Sequence, residues 1–485
     1  MTFFKPFILF ILCYFGVSIA SFSQNNASVF TKKYSPQQLK QDAEILKTVT
    51  LAMHPGIAIY KPKTYYENLF NTFIGSLKDS LTQKEFCLKS KLLIGELMCG
   101  HTNVSYSKAY LKAMDKNKNN FSPYIFLPAQ NKVYVLTNLN KKQDSTIKKG
   151  TEVLKINGFE VDSMLRYSRR FMTRDGYNET SQNHFIQLAF NSYYLSLFGR
   201  PDTFKLEYID GNAIKKINYP AFKTQKIPSI PVRKNDDSLF TNYKKAKIKF
   251  RFVDSLHKTM VMKISAFSTR KSKKAYRKIF KKLNNEKTEN LVIDLRNNGG
   301  GSMRNAYRLL SYLIDTTETQ TLKTTIKSYP LKKYTGGNMF FKLTRFAFKS
   351  FGKHAVLNDT DFYTFSIKPN TKNHYKNKVF VLINGGTFSA SSLVSAYLKA
   401  ENRAVFIGEE TGGAIEGCNA GIMPNYELPN TKVRVRMPAF RVNNNVFPKI
   451  TGHGIMPDYP IEYSIKDILP PKDLELEQCL KLIHK

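Results

Sequence analysis

The sequence predicts an α/β protein with an N-terminal helical unit, a β-rich middle and a C-terminal α/β core around a mainly parallel sheet. Three observations lead there. At 485 residues the chain is too long for one ordinary core and suggests two or three domains. Apolar residues recur at helical spacing between Ser35 and Cys99. Beyond Lys245, apolar strand-like runs alternate with helical stretches, which is the pattern of a parallel sheet covered by helices.

The elements follow in order. Met1 to Gln24 carries Lys5, an apolar run from Pro6 to Ala20, and small residues at Ser18, Ala20, Ser21 and Ser23. This reads as a secretory signal over residues 1–23, cleaved near Ala20 or Ser23; the run is short for a permanent span, an uncleaved anchor being the alternative. It predicts an exported, periplasmic or envelope-associated protein. Cys13 sits inside the apolar run after Leu12, which argues against a lipid attachment site. Residues 24–120 form the helical unit: Ser35-Pro36 opens a helix, Leu46, Val49, Leu51 and Met53 give it an apolar face, and His54-Pro55-Gly56 ends it. The pattern resumes through Leu69, Phe73, Leu77, Phe86, Leu92, Leu93 and Leu97 and stops at Gly100, after which His101 opens a short extended run.

Residues 121–222 read as short strands at Tyr124–Leu127, Lys132–Thr137, Glu152–Ile156, Thr203–Tyr208 and Lys215–Tyr219. Within them Ile147 to Gly158, a glycine turn, an apolar strand and an Asn-Gly turn, resembles the PDZ signature. That resemblance implies either capture of peptide tails at a sheet edge or a domain that only packs against the core. Residues 223–245, with two prolines and little periodicity, read as a linker. The core, residues 246–485, predicts strands at Val261–Ile264, Leu291–Leu295, Val379–Ile383 and Val405–Ile407, helices at Ser272–Leu283, Met303–Ile314 and Ala390–Leu398, then strands at Val433–Met437 and Phe440–Val442. Tyr329 to Tyr375 reads as an irregular, basic, aromatic insertion.

The formal charge of +38 is spread along the chain and favours anionic neighbours, either acidic polypeptides or a membrane surface. No zinc-finger spacing or aromatic ribonucleoprotein motif supports nucleic-acid binding. Neither C-x-x-C nor H-E-x-x-H occurs, so no structural metal and no cofactor are expected. Four cysteines follow the signal. Cys87 and Cys99, on one helical pattern, would stand roughly 18 Å apart at about 1.5 Å per residue and could not bridge. Cys99 and Cys418 are the pair that could.

Two segments carry the chemistry. Val381-Leu382-Ile383-Asn384-Gly385-Gly386-Thr387-Phe388-Ser389-Ala390 runs a strand into a glycine turn and sets Ser389 at the start of a helix. There a hydroxyl can act as nucleophile beside the unpaired N–H groups of the first turn. Ser391 and Ser392 are alternatives, and a plain helix cap is the bland reading. This is not the G-x-S-x-G elbow, since Thr387 and Ser391 stand at its glycine positions. Asn290 to Ser302 repeats the strand, glycine turn and helix about ninety residues earlier.

DLRNNGGGS, GGTFSASS, the GEETGG of Gly408 to Gly413 and the GHGIMPD of Gly452 to Asp458 together resemble the tail-specific, or C-terminal processing, serine protease family across residues 245–465. The resemblance implies a serine-type peptidase acting on polypeptides, with Ser389 as nucleophile and the N–H groups of Ala390 and Gly300 as oxyanion donors. The lysine used as base in the better-known branch would fall at Ala414, which cannot accept a proton. The tricorn-like branch instead uses a histidine in a Gly-His-Thr motif, matched by Gly100-His101-Thr102, although Cys99 replaces its usual preceding acid. His101 is thus the expected base, with His54 and His453 as competitors. The branch's orienting glutamate falls at Thr451 or Gly452, which leaves Glu409, Glu410 and Asp458 as candidates. Asp294 and Arg296 are expected to fix their turn by an ion pair. A catalytically inactive relative that binds peptides or apolar ligands in the same cleft is the alternative function.

Overall fold

The structure is a computed structural model that describes residues 29–485 apart from 117–118, 140–146, 225–238, 269, 326–342, 344–345, 347–348, 351 and 447–449. The segment read as a secretory signal, 1–23, and most of the segment read as a linker, 223–245, lie outside the described residues. No helix among the described residues is long and apolar enough to cross a membrane.

The N-terminal stretch forms α1 (Pro36–Met53), which ends at His54 as expected, and the helical pattern that resumes is split into two helices, α2 (Lys63–Gly75) and α3 (Gln83–Gly95). Ser35 and Gln38 close a capping box on α1, and Thr82 and Glu85 do the same on α3. Because α3 stops at Gly95, Cys99 is not on the helix of Cys87, and the helical spacing argument against that pair does not apply. All four described cysteines are free thiols, so Cys99 and Cys418 are not bridged. The extended run after His101 is β1 (Asn103–Ser105), followed by α4 (Lys108–Lys116).

The middle segment contains β2 (Tyr124–Ala129), β3 (Lys132–Asn138), β4 (Glu152–Ile156), α5 (Val161–Arg169), α6 (Thr180–Leu197), β5 (Thr203–Asp210) and β6 (Ala213–Pro220). Its sheet runs in the order β6-β5-β4-β3-β2. The Asn157-Gly158 turn after β4 has both residues at positive φ, 51° and 84°, as a tight hairpin turn requires. α6 lies along the free side of β2. Asn191 accepts the Phe126 N–H and donates to the Phe126 carbonyl, both at 3.2 Å, and Gln187 donates to the Pro128 carbonyl at 3.2 Å. The Tyr124 N–H donates to Ser122 Oγ at 3.1 Å.

The core sheet has seven strands in the order β7 (Thr241–Tyr243), β8 (Ile248–Phe252), β9 (Thr259–Ile264), β10 (Asn290–Asp294), β13 (Lys378–Ile383), β14 (Val405–Gly408) and β19 (Tyr459–Pro460). From β9 to β19 every pairing is parallel. Both faces are covered, which explains unbroken apolar strands such as Leu291-Val292-Ile293. Leu291, Ile293, Val381 and Ile383 pack under α7 (Ser272–Asn285), α8 (Met303–Ser311) and α9 (Ala390–Ala400). Val292, Phe380 and Leu382 face the C-terminal helix α10 (Leu474–Ile483). A second, antiparallel sheet contains β11 (Glu318–Thr324), β12 (Thr360–Ile367), β15 (Gly417–Ala420) and β18 (Phe440–Asn443), and β16 (Asn425–Glu427) pairs with β17 (Arg434–Arg436). Lys353–Leu357 forms a hairpin with β12, so this part of the segment expected to be irregular is ordered strand. Its Asn358-Asp359 turn has φ of 44° and 59°.

The helical unit does not close a core of its own. Leu39, Leu46, Phe70, Phe86 and Ile94 share one apolar cluster with Leu322, Tyr363, Tyr426, Val435 and Phe440. Buried Asp42 of α1 accepts from the Asn430 and Thr431 N–H groups at 3.0 and 2.8 Å. β1 adds to β17 with Val104 opposite Val435.

At the end of β10, Arg296 donates twice to Asp294, each at 3.0 Å, which is the ion pair expected from the sequence. It also reaches Asp473 at 2.6 Å and Glu475 at 2.8 Å, tying the glycine turn to the start of α10. Burial alone would raise the Asp294 carboxyl, but the Arg296 charge outweighs it and holds it at about 2. Arg296→Met would leave Asp294 with Lys263 as its cation and take the guanidinium from the buried Glu475 and from Asp473. We expect a loss of about 3–5 kcal/mol in unfolding free energy, read from urea denaturation. The stability that the wild type keeps above the ordinary carboxylate range and loses as pH falls toward 2 should be diminished in the variant.

Candidate active site

The two glycine turns are laced together. The Asn297 N–H donates to Asn384 Oδ1 and Asn384 Nδ2 donates to Asn297 Oδ1, both at 2.9 Å. Thr387 Oγ1 donates to the Leu295 carbonyl at 3.0 Å, and the Phe388 N–H to the Asn298 carbonyl at 3.0 Å. The Gly408 to Gly413 stretch closes over them, with the Gly412 N–H on the Thr387 carbonyl at 2.9 Å. A Cβ on Gly413 would stand 2.5 Å from Ser392 Oγ.

Ser389 occupies the N-cap of α9, but its side chain caps nothing. Its backbone lies at φ 57° and ψ −121°, a region costly for any side chain, of order 1–3 kcal/mol. The turn aims Oγ outward at His101 Nε2, 3.1 Å away. The alternatives face elsewhere: Ser392 donates to the Thr387 carbonyl at 2.9 Å, and Ser391 is fully buried.

His101 arrives on the turn before β1. Its ring stacks on Phe388 with centroids 4.8 Å apart and planes inclined by 30°. Gly100 is needed for this approach, because a Cβ there would stand 2.6 Å from Phe388 Cζ. Burial, with the Arg436 charge adding, pushes the imidazole down to about 4, so it is neutral at pH 7. The competing histidines bond elsewhere. His54 Nε2 meets Thr102 Oγ1 at 2.8 Å and its Nδ1 accepts from Gly56, while His453 faces Glu410 at 3.3 Å.

The expected acids are not brought to His101. Glu410 accepts the Gly454 N–H at 2.6 Å. Glu409 is exposed, the protein packed around its carboxyl raises it by desolvation, and the Gly385 N–H faces it. Asp458 pairs with Lys399 and accepts the Phe406 N–H at 2.8 Å. Each fastens a loop of the core, so none is placed to orient His101. The buried carboxylate that does lie against the histidine segment is Asp175, which accepts the Gly100 N–H at 2.8 Å. No motif marks it; the only local signal is the Asp-Gly turn dipeptide, with Gly176 at φ 59°.

Gly300 abuts the Ser389 turn: a Cβ there would stand 2.7 Å from Ser389 Cβ and 2.9 Å from the Ala390 nitrogen. Its φ of 98° also excludes side chains. The Gly300 N–H, however, donates to Asn298 Oδ1 at 2.9 Å, which corrects its assignment as a free oxyanion donor. Gly301, at φ 132°, borders the cavity beside Ser389 instead. That cavity has a volume of about 240 Å³ and is walled by Met303, Leu393, Cys418, Met423 and Val442. Burial pushes the ionisation of the Cys418 thiol, which lines this cavity with Ser389, far up. Among the described residues no cluster of three or more acidic, histidine or cysteine side chains could hold a metal ion.

Residues 258–461 match Peptidase family S41. No curated protein sequence matches the chain. Among solved structures, mature CPAF complexed with lactacystin is similar at 16% identity and TM-score 0.65, covering 92% of this chain and 98% of that one. Mature CPAF alone gives 16% identity and TM-score 0.60, covering 90% and 94%. At that identity these likenesses speak for the shared fold. A peptidase family S41 domain thus spans residues 258–461 and includes the two laced turns, which makes the protein a serine-type peptidase.

Proposed function

We propose that the protein is an exported serine endopeptidase in which His101 deprotonates Ser389. The observation that carries this reading is the 3.1 Å contact between His101 Nε2 and Ser389 Oγ, made by residues 288 positions apart. A neutral, buried imidazole accepts the hydroxyl proton as Oγ attacks the scissile carbonyl carbon. The resulting oxyanion lies within reach of the Ala390 N–H and the Gly301 side of the glycine turn, in place of the engaged Gly300 donor. The C–N bond then breaks as His101 returns the proton to the leaving amine, and water hydrolyses the acyl-enzyme by the same steps. The cavity of mainly apolar walls beside Ser389 suits an uncharged substrate side chain.

The charge of +38 favours acidic stretches of a polypeptide substrate or an anionic surface near it. Export to the periplasm or cell envelope rests on the composition of residues 1–23.

Two experiments follow. Ser389→Ala should abolish covalent labelling by a fluorophosphonate probe, and both Ser389→Ala and His101→Ala should lose at least about 10³-fold in turnover of a fluorogenic peptide. Full activity in His101→Ala refutes the base assignment. Gly300→Ala would drive a methyl group against Ser389 and should cost about 10²-fold or more in kcat/KM, with the circular dichroism spectrum retained.

A further inference from the structure

We propose that Asp175 is the positioning residue of this site: its carboxylate takes the Nδ1 proton of His101 in hydrogen bond and fixes the ring against Ser389. The proposal rests on the Ser389–His101 reading. If Nε2 is to accept the Ser389 proton, the neutral ring must carry its hydrogen on Nδ1. His101 Nδ1 is buried and has no partner, an arrangement that costs about 1–3 kcal/mol if it persists. Asp175 Oδ2 is likewise buried and without a partner. A donor lacking an acceptor and an acceptor lacking a donor thus belong to side chains joined through one short segment, since Asp175 Oδ1 holds the N–H of Gly100, the residue before His101, at 2.8 Å. Catalytic hydrogen bonds of this kind are often open in the resting enzyme and close when substrate docks.

The loop carrying Asp175, between α5 and α6, is built to hold that carboxylate in place. The Gly176 N–H donates to the Met98 carbonyl at 3.0 Å and the Tyr177 N–H to the Gly452 carbonyl at 2.8 Å. Asn178 donates to the Thr411 carbonyl. A Cβ on Gly176 would stand 2.4 Å from Gly452 Cα, so the loop is pressed against the segment after β18. The rival carboxylate is Glu416, whose Oε2 is also buried and unpartnered. Its other oxygen is committed to Tyr60 at 2.8 Å and the Gly452 N–H at 3.0 Å, and no bond ties it to the Cys99–His101 segment.

The charged and titratable groups around Asp175 are Arg441, Glu416, Tyr60, Cys99 and Cys418, together with the N–H groups of Gly100 and Ala414. Burial dominates and lifts the carboxyl to about 6, whereas His101 lies near 4. As pH falls, Asp175 therefore gains a proton before His101 does. If its charge orients the base, the acid limb of kcat/KM follows Asp175.

The test uses the full chain and one fluorogenic peptide. In Asp175→Asn, which still accepts the Gly100 N–H, kcat should fall by about 10²–10⁴-fold with KM within about threefold. The acid limb should move from near 6 to lower pH, and Asp175→Glu should recover part of the lost rate. In wild type labelled with a phosphonate, a far-downfield Nδ1 proton resonance should appear and be absent from His101→Ala; that measurement needs no Asp175 variant to fold. Unchanged kcat in Asp175→Asn, an unmoved limb, the limb shift in Glu416→Gln instead, or no such resonance in wild type would each overturn the proposal. Failure of the underlying reading looks different: His101→Ala or Ser389→Ala would remain active.

Discussion

The site depends on one strand addition. Asn103–Ser105 pairs with Arg434–Arg436, and this short ladder carries His101 into a core whose Ser389 turn lies almost three hundred residues later. Three residue pairs of β-structure could not hold the 3.1 Å contact between His101 and Ser389 alone. The apolar cluster that α1 to α3 share with the second sheet, and the buried Asp42 that receives the Asn430 and Thr431 N–H groups, supply the rigidity. A helical unit that had its own core would need only a loose interface. One that completes another segment's core cannot drift without opening it.

Strain and constraint on the serine side have a similar economy. Ser389 sits in a backbone region that few residues tolerate, and it is kept there by reciprocal amide bonds between Asn297 and Asn384 and by Thr387 on the Leu295 carbonyl. The parallel sheet fixes both turns at the same edge, because β10 and β13 are neighbours and end in register, Asp294 opposite Leu382. Brought to one edge, two weak turn signals become one site.

The sheet core was legible because its strands are long apolar runs and its helices amphipathic. The serine and histidine were legible only through the motifs around them, since nothing in Gly100-His101-Thr102 alone says that it meets Ser389. What sequence could not show is where side chains point. Glu409 and Glu410 lie in the right motif yet serve a neighbouring loop, while Asp175 lies in no motif and reaches the Gly100 N–H. The Gly300 donor failed for the same reason, because the Asn298 side chain that occupies it is chosen by local geometry. α6 escaped notice because its apolar residues are spread around the helix and Ala189 breaks its helical backbone.

The side of β2 that faces α6 carries a consequence for how the middle segment meets other chains. A bare edge strand is a template for any extended peptide, and also for unwanted sheet-to-sheet growth. Here the Tyr124 N–H, the Phe126 N–H and carbonyl and the Pro128 carbonyl on that edge are already bonded to Ser122, Asn191 and Gln187. A substrate tail offered there gains no new backbone bonds until the amide side chains give theirs up. The sheet behaves as though it already held its peptide, with a helix of the same chain standing in for it.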